Sequence, residues 1–374
     1  MPDLSLVMLG AGNSSRFEHT VKKQWLRFDD TPLWLYATHN IAQKAQFAKI
    51  IIVAHHDELA YMKRFEEEYL YVEGGNSRQE SLKNALQHVD TPFVLVSDIA
   101  RVCISEGLLQ RILAQKDFSD IVVPFLHVSD TVVYDETPIA RDKVKLIQTP
   151  QLSRTDILKS ALNTDITYTD DSSAIKAIGG SVSFVEGENH ATKLTRIRDL
   201  AQIPCKYPPS KDIFVGNGFD VHEFETAKPM MLGGVKIRDD FGFRAHSDGD
   251  VAIHALIDAL LGAMGAGDVG ELFPDHDDRF KNIDSKTLLT QVVTFLTQVG
   301  FEIVNCDITI IAQTPKIGDF KREMARTIAA ILNIKPIHVN IKATTTEHLG
   351  FIGRKEGVGV NATATLKYID WTHI

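Results

Sequence analysis

Between residues 4 and 125, short apolar runs alternate with longer amphipathic ones, and no other feature restricts the fold as much. "LSLVML" (4–9), "KIIIVA" (49–54), "FVLVSD" (93–98) and "DIVVPF" (120–125) are near-continuously apolar, as strands buried on both faces are. "PLWLYATHNIAQKA" (32–45), "ELAYMKRFEEEY" (58–69) and "SRQESLKNALQHV" (77–89) read as amphipathic helices. Strands of that kind need helices on both faces. This half therefore predicts an α/β doubly wound, Rossmann-like domain with a mostly parallel sheet. "AHHDE" (54–58) reads as a loop, because adjacent histidines on a strand face opposite ways and cannot chelate from one face.

A chain of 374 residues exceeds one ordinary core. The pattern changes at "AQIPCKYPPSKD" (201–212), where Pro204, Pro208 and Pro209 among polar neighbours read as a linker. Beyond it, strands are expected at "DIFVGNGFDVHEF", 301–313, 338–345 and 357–369, and helices at 248–265, 285–300 and 321–332. That order predicts an α+β domain with helices on one side of a sheet. The expected division is 1–205, a linker at 206–213, and 214–374. Hydrophobic and charged contents of 44% and 24% are those of a globular protein, and the formal charge of −9 gives no support to nucleic-acid binding. No apolar run approaches the ~18 residues of a membrane helix. The opening "MPDLSLVMLGAG" lacks a basic leader region. Cys103, Cys205 and Cys306 are scattered, without C-x-x-C. They argue for a reducing, cytoplasmic compartment and against both a disulfide framework and a cysteine zinc site.

Four stretches of the first half carry chemistry. "LGAGNSSRF" (9–17) follows the first strand at once and suits either a plain tight turn or an anion cradle built from backbone N–H groups. "KKQW" (22–25) adds lysines, which fit a triphosphate or a solvated charge pair. "GGNSRQES" (74–81) is a second glycine turn into a helix. "VSDIAR" (96–101) puts Asp98 at the carboxyl end of a buried strand, as a Mg2+ ligand or a helix cap. Together these stretches resemble the 2-C-methyl-D-erythritol 4-phosphate cytidylyltransferase family over roughly residues 4 to 200. The family's Gly-rich loop ending in Arg, Pro-Lys-Gln-Tyr, Gly-Gly-x-x-Arg-x-x-Ser, Asp-Ala-Ala-Arg-Pro, Arg before Thr-Pro-Gln, and late Lys match Arg16, Lys23, "GGNSRQES", Asp98 to Arg101, Arg141 with "TPQ" (149–151), and Lys193. Lys22, Trp25, Ile99 and Val102 depart from that pattern, and His190 stands where an acidic residue often lies. The resemblance implies attack by a sugar-phosphate oxygen on the α-phosphorus of CTP. It places Arg16, Lys23 and Lys193 around the phosphates, with Gly12 in the cradle and Mg2+ or Mn2+ on Asp98. Arg141, Thr131 and Thr149 would hold the methylerythritol phosphate, and Arg101 would bind substrate. Gly74, Gly75, Arg78 and Ser81 would line the nucleoside.

In the second half, "FDVHEF" (219–224) sets Asp220 and His222 on one face of a strand. That is an exposed polar edge or a pair of metal ligands. His254, on the expected helix, would complete a three-ligand N/O site suited to zinc with an open fourth position. "GFDVHEF", "AHSDGDVAIHALIDALLGAMGAGDVGELFPD", "IIAQTPK" and "KATTTEHLGFIGRKEG" resemble the 2-C-methyl-D-erythritol 2,4-cyclodiphosphate synthase family over about 214 to 370. The whole chain thus resembles a fusion of two non-consecutive enzymes of the non-mevalonate isoprenoid pathway. The implied second reaction is attack of the 2-phosphate on the β-phosphorus with loss of CMP. The resemblance assigns Zn2+ to Asp220, His222 and His254, and a second divalent cation to Glu347. It gives His246 and Thr345 to the developing charge and Ser247 to the 2-phosphate. Asp268 and Gly270 go to the erythritol hydroxyls, with Phe273, Asp275 and Asp277 beside them. Ala312, Pro315, Lys316, Thr344 and Thr346 form the cytosine pocket. Phe351 and Arg354 would line a channel in a trimer, although an ion pair of Arg354 with Glu356 is an equal reading. Asp248 and Asp250 would cap the helix.

The resemblance also implies a homo-oligomer, with trimers of the second domain joined by dimers of the first. It admits association with the intervening kinase. The substrates are CTP and methylerythritol phosphates, with no nucleic acid and no membrane involved. The competing reading is a cytidylyltransferase whose second domain only trimerises around a structural zinc.

Overall fold

The computed structural model describes residues 2–245, 247–274 and 283–373. The chain divides into two compact units, Met1–Pro208 with Trp371–Ile374, and Pro209–Asp370.

The first unit runs β1 (Leu4–Leu9), β2 (Arg27–Phe28), β3 (Thr31–Pro32), α1 (Leu33–Ala42), β4 (Lys49–Ala54), α2 (His56–Met62), β5 (Leu70–Glu73) and α3 (Arg78–Leu86). It continues with β6 (Phe93–Asp98), α4 (Glu106–Leu113), β7 (Ile121–His127), β8 (Val132–Tyr134), β9 (Thr137–Ile139), β10 (Lys145–Ile147), β11 (Gln151–Arg154), α5 (Thr155–Leu162), α6 (Asp171–Ala177) and β12 (Val182–Glu186). The main sheet has the order β10-β7-β11-β6-β1-β4-β5, with β12 also on β7. The pairs β6–β1, β1–β4 and β4–β5 are parallel, whereas β11 is antiparallel to both of its neighbours. The sheet is therefore mixed. Every residue of β1 and β6 is buried, as their unbroken apolar runs require.

Three local expectations are corrected. The helix expected over 58–69 ends at Met62. Phe65 N turns back to Met62 O, and the Tyr71 hydroxyl, 2.7 Å from Glu66 O, satisfies a carbonyl that a longer helix would have used. "AHHDE" is a helix start and not a loop: His55 is the N-cap of α2, its ring nitrogen accepting from Asp57 N at 3.4 Å. Finally, Cys103 and Cys205 form a disulfide, with Cα atoms 6.1 Å apart across a sequence separation of 102. Their spacing in sequence concealed a pairing that folding creates. Cys306 is free and buried.

The second unit runs β13 (Ile213–Thr226), β14 (Met230–Leu232), β15 (Val235–Arg238), β16 (Phe241–Phe243), α7 (Val251–Met264), α8 (Val269–Leu272) and α9 (Ser285–Gln298). Then follow β17 (Phe301–Ile311), α10 (Lys321–Leu332), β18 (Val339–Thr344), α11 (Gly350–Gly353) and β19 (Gly357–Tyr368). Its sheet has the order β16-β13-β19-β17-β18. α7 packs on β13 and β19, α9 on β17 and α10 on β18. Two glycines set the approach of α7. Gly216 and Gly218 share a face of β13, and a Cβ on either would stand 2.0 Å from a carbonyl oxygen, of Ala259 or Ala255 respectively. Only glycine lets the helix backbone lie that close to the strand. By the two-residue period of a strand, Asp220 and His222 extend the same face toward α7.

Candidate active sites

In the first unit the loop after β1, the start of α3 and the end of β6 surround a cleft of about 800 Å3. Gly12, Arg16, Lys23, Gly75, Arg78, Ser81, Asp98 and Lys193 all line it, with Asn13, Gln24, His55, Asn76, Ser77 and Thr169. Gly74 borders the adjoining groove. The start of α3 is fixed by Ser77, whose hydroxyl accepts from Glu80 N at 3.0 Å, while the Glu80 carboxylate accepts from Asn76 N at 2.7 Å. Residues 191–194 run back along the end of β6. Arg101 Nη1 donates to Ala191 O at 2.5 Å and Leu194 N to Ala100 O at 2.8 Å. This pairing carries Lys193 to Asp98, with Nζ 2.7 Å from Oδ2.

Asp98 caps no helix. Among the described residues its Oδ1 has only the longer approach of Arg78 Nε at 3.7 Å, so this oxygen could hold a divalent cation, which typically takes one or two carboxylates plus phosphate oxygens. Burial pushes the Asp98 carboxyl up, but Lys193 and Arg78 outweigh it and hold it below the usual range. Arg78 is itself held by Asp171, 2.6 Å away on α6 and 1% exposed. Lys22 and Lys23 are not a solvated pair. Lys22 is buried against Glu58 at 2.5 Å, and Lys23 Nζ donates to Leu194 O at 3.2 Å. Burial, and then the charge of Lys193, lowers Lys23 to about 8.

Thr149 is buried rather than in the cleft, its hydroxyl near Asp98 N and Arg101 Nε at 3.3 and 3.1 Å. Thr131 and Arg141 are exposed on the excursion between β7 and β10, where Arg141 donates to Ser129 O, and they do not line the cleft. His190 pairs with Glu188 at 2.8 Å.

In the second unit Asp220, His222 and His254 bring ligand atoms within 4.8 Å of one another, the one group of this kind among the described residues. Each imidazole is oriented from behind. His222 Nδ1 lies 3.0 Å from Gly249 O, which can only accept, so Nε2 is the nitrogen turned to Asp220, at 3.1 Å. The Ser285 hydroxyl donates to Asp248 Oδ1 at 2.5 Å, so its oxygen accepts from His254 Nε2 at 3.0 Å. That leaves the His254 Nδ1 lone pair facing Asp220 Oδ2 at 3.4 Å. Asp220 Oδ2 is buried and makes no well-formed hydrogen bond among the described residues. Acceptor atoms converging on a buried, unsatisfied oxygen fit a cation, and this N/O donor set with its outer hydrogen bonds suits zinc chemistry. Burial pushes the Asp220 carboxyl up, but His222 and His254, wherever they carry a proton toward it, draw it well below the carboxylate range.

The remaining expected residues divide. Ser247 is buried, its hydroxyl 3.3 Å from His254 Nε2. Ala312 N donates to Thr344 O at 2.9 Å, so the 312–316 and 344–347 loops lie side by side, with Lys316 exposed. Glu347 is exposed and accepts from the Thr345 hydroxyl at 2.8 Å; it is not part of the three-residue cluster. Thr346 donates to Leu349 O and Pro315 follows a cis bond. Asp268 caps α8, accepting from Glu271 N at 2.9 Å, with Gly270 exposed on that helix and Phe273 buried behind it. Asp250 caps α7, whereas Asp248 binds Ser285. Arg354 pairs with Glu356 at 2.7 Å, and Phe351 is exposed nearby. His246, Asp275 and Asp277 lie outside the described residues. Sequence reading missed Gln24, Asp171 and Ser285. All three act through contacts distant along the chain.

A cationic cleft at the carboxyl ends of the parallel strands of a mixed sheet, joined in one chain to an Asp-His-His centre, defines a two-centre enzyme of phosphate chemistry. Residues 4–204 match the family model described as 2-C-methyl-D-erythritol 4-phosphate cytidylyltransferase, and residues 213–367 match that of the YgbB family. The bifunctional enzyme IspD/IspF of Aliarcobacter butzleri is 54% identical over 371 residues, covering 99% of this chain and 99% of that protein. That of Campylobacter curvus is 56% identical over 372 residues, covering 100% of both. The solved structure of the bifunctional IspDF from Campylobacter jejuni has a TM-score of 0.88 and 50% identity, covering 99% of this chain and 100% of that one. The chain belongs to the bifunctional IspD/IspF family. It is both a methylerythritol phosphate cytidylyltransferase and a methylerythritol cyclodiphosphate synthase of the non-mevalonate isoprenoid pathway. Among the described residues no helix is long and apolar enough to cross a membrane.

Proposed function

We propose that the two reactions run at the two clusters above, and that each works by screening negative charge rather than by a general base. In both, the nucleophile is a phosphate oxygen that is already ionised, so no proton need be removed. In the first unit Arg16, Lys23 and Lys193 hold the triphosphate, and Arg78, Ser81 and the glycine turns border the nucleoside. Arg101 and Thr149 fix the end of β6, while Thr131 and Arg141 serve the methylerythritol phosphate. The substrate oxygen bonds to the α-phosphorus as the bond to pyrophosphate breaks. Asp98 would hold Mg2+ or Mn2+, which when bound offsets charge on the phosphates of the in-line transition state.

In the second unit Asp220, His222 and His254 would hold Zn2+, and Glu347 a second divalent cation; such ions polarise a phosphate under attack. Ser247, His246 and Thr345 bind the reacting phosphates. Asp268 and Gly270 bind the erythritol hydroxyls, and the 312–316 and 344–346 loops hold the cytosine. The 2-phosphate oxygen bonds to the β-phosphorus and CMP leaves. Cytoplasmic location and assembly through trimers of the second unit and dimers of the first belong to the same reading.

The observation that supports it most is the buried, unsatisfied Asp220 oxygen facing two oriented imidazoles. A chelator should stop both reactions. Magnesium alone should then restore pyrophosphate release, while zinc is needed for CMP release. His254→Ala should cut CMP release on the order of 10²-fold or more, the scale of a damaged metal site, with pyrophosphate release intact. Full CMP release by His254→Ala would remove the cation from the reaction. Equal loss of both activities would show unfolding.

A further inference from the structure

Lys23 opens a three-residue 3-10 turn, Lys23–Trp25, that has no side-chain cap of its own. One carboxylate holds it. Glu58, on α2, is 1% exposed and accepts from Lys22 Nζ at 2.5 Å, Gln24 Nε2 at 3.1 Å and Trp25 Nε1 at 2.7 Å. These donors flank Lys23 on both sides. Gln24 carries the connection onward. Its Nε2 reaches Gly12 O at 3.3 Å and its Oε1 accepts from Ser14 Oγ at 2.9 Å. Ser14 Oγ in turn accepts from Lys23 N at 3.2 Å. A single network thus runs from Glu58 to the glycine loop and to the backbone of Lys23. Lys23, Gln24 and Gly12 line the cleft, but Glu58 does not.

Stability alone does not account for this arrangement, because a buried ion pair is often replaceable by apolar groups of the same volume without loss. What apolar groups could not supply is an acceptor reached from three directions. We propose that Glu58 is a positioning residue for cytidylyl transfer, locking the Lys22–Trp25 turn against the glycine loop so that both meet the triphosphate in one geometry. This rests on the assignment of Lys23 to the triphosphate.

The test compares two double variants of the full chain. Lys22→Met/Glu58→Leu removes the ion pair and the acceptor. Lys22→Met/Glu58→Gln removes the ion pair and keeps an acceptor. Pyrophosphate release, CMP release and the unfolding midpoint are measured for each. The Leu pair should lose kcat for pyrophosphate release about 10²-fold, the scale of a ~1 Å misplacement, while the Gln pair stays within about tenfold of wild type. CMP release should not change in either. Gln24→Met, which cuts the network and leaves the ion pair in place, should match the Leu pair, and decides the matter if that pair folds poorly. Equal kcat in the Leu and Gln pairs, or wild-type kcat in Gln24→Met, overturns the proposal. Lys23→Ala separates it from the assignment beneath it. Wild-type kcat in Lys23→Ala sinks that assignment, whereas a large loss there with indistinguishable double variants sinks the role of Glu58 alone.

Discussion

Asp250→Asn is a small change that should weaken the second unit and spare the first. Asp250 is 0% exposed. Its Oδ1 accepts from Gly233 N at 2.8 Å and from Ala252 N and Ile253 N, both at 3.1 Å, while Oδ2 accepts from Gly234 N at 2.6 Å. One carboxylate therefore ties the β14–β15 turn to the start of α7, the helix that carries His254. An asparagine can place its oxygen at Oδ1 and keep three of these bonds, but its NH2 then meets Gly234 N–H, donor against donor. Burial, with Asp248 nearby, pushes the Asp250 carboxyl up, while the N–H groups of Gly234, Ile253 and Gly233 favour its charged form. Losing one charge-assisted bond and leaving the half-buried Gly234 N–H without its acceptor should cost about 3 kcal/mol. For a unit the size of Pro209–Asp370, that corresponds to a midpoint lowered by about 6–12 °C. The assay is residual activity after stepwise heating, with CMP release and pyrophosphate release read on the same samples. The first should collapse at the lower temperature and the second at its wild-type temperature. A shift under about 2 °C would refute the assignment of Asp250 as a charged four-donor hub.

Two further outcomes follow from the first unit. Lys23, lowered to about 8 by burial and by Lys193, is an ammonium below that pH and a neutral amine above it. Its attraction for CTP is therefore present on the acid side, and kcat/KM for pyrophosphate release should fall about tenfold per pH unit above the transition. Lys23→Arg should flatten this limb, because a guanidinium stays charged; an unchanged limb would show that another group titrates. Trp371, 5% exposed, donates its indole N–H to Arg27 O at 2.6 Å and packs 5.7 Å from the Phe28 ring. Trp371→Ala should cost the first unit about 3–5 kcal/mol and show as earlier heat loss of pyrophosphate release, with CMP release unaffected.

What could be read from the sequence was what local pattern encodes. β1, β4 and β6 fall on their apolar runs, and α10 on its amphipathic stretch, because burial on two faces or one leaves a periodic trace. The Asp220–His222 pair was visible as a strand face, and His254 as a helix position. What stayed hidden depends on partners far along the chain. Glu58 reads as an ordinary helix-start acid until Lys22, Gln24 and Trp25 converge on it. Ser285 reads as a helix-start serine until Asp248 fixes its proton. Cys103 and Cys205 read as strays until the fold pairs them. The short β5 escaped because the acidic run before it, and Tyr69 within reach of the same periodicity, extended the helical pattern of α2 past its true end.

The two centres meet one electrostatic problem from opposite starting charges. In the first, Lys23 is lowered by burial and then by the like charge of Lys193, and Asp98 is the counter-charge that lets both lie in one cleft. On the proposed assignment, an arriving triphosphate would replace that repulsion with attraction, so the residues would be arranged for an anion before any anion is present. In the second, a carboxylate oxygen and two imidazole lone pairs face inward with too little positive charge among them, and the outer hydrogen bonds that the rings donate to Gly249 O and Ser285 Oγ hold them there. That arrangement is relieved only by a cation or by protonating the imidazoles; Asp220 indeed draws His222 up against the effect of burial. Protons and metal must then compete for the same nitrogens. On the proposed assignment, protonation of the ligands should end the second reaction in acid and loss of the Lys23 proton should end the first in base, so the two halves of one chain should lose activity at opposite ends of the pH range.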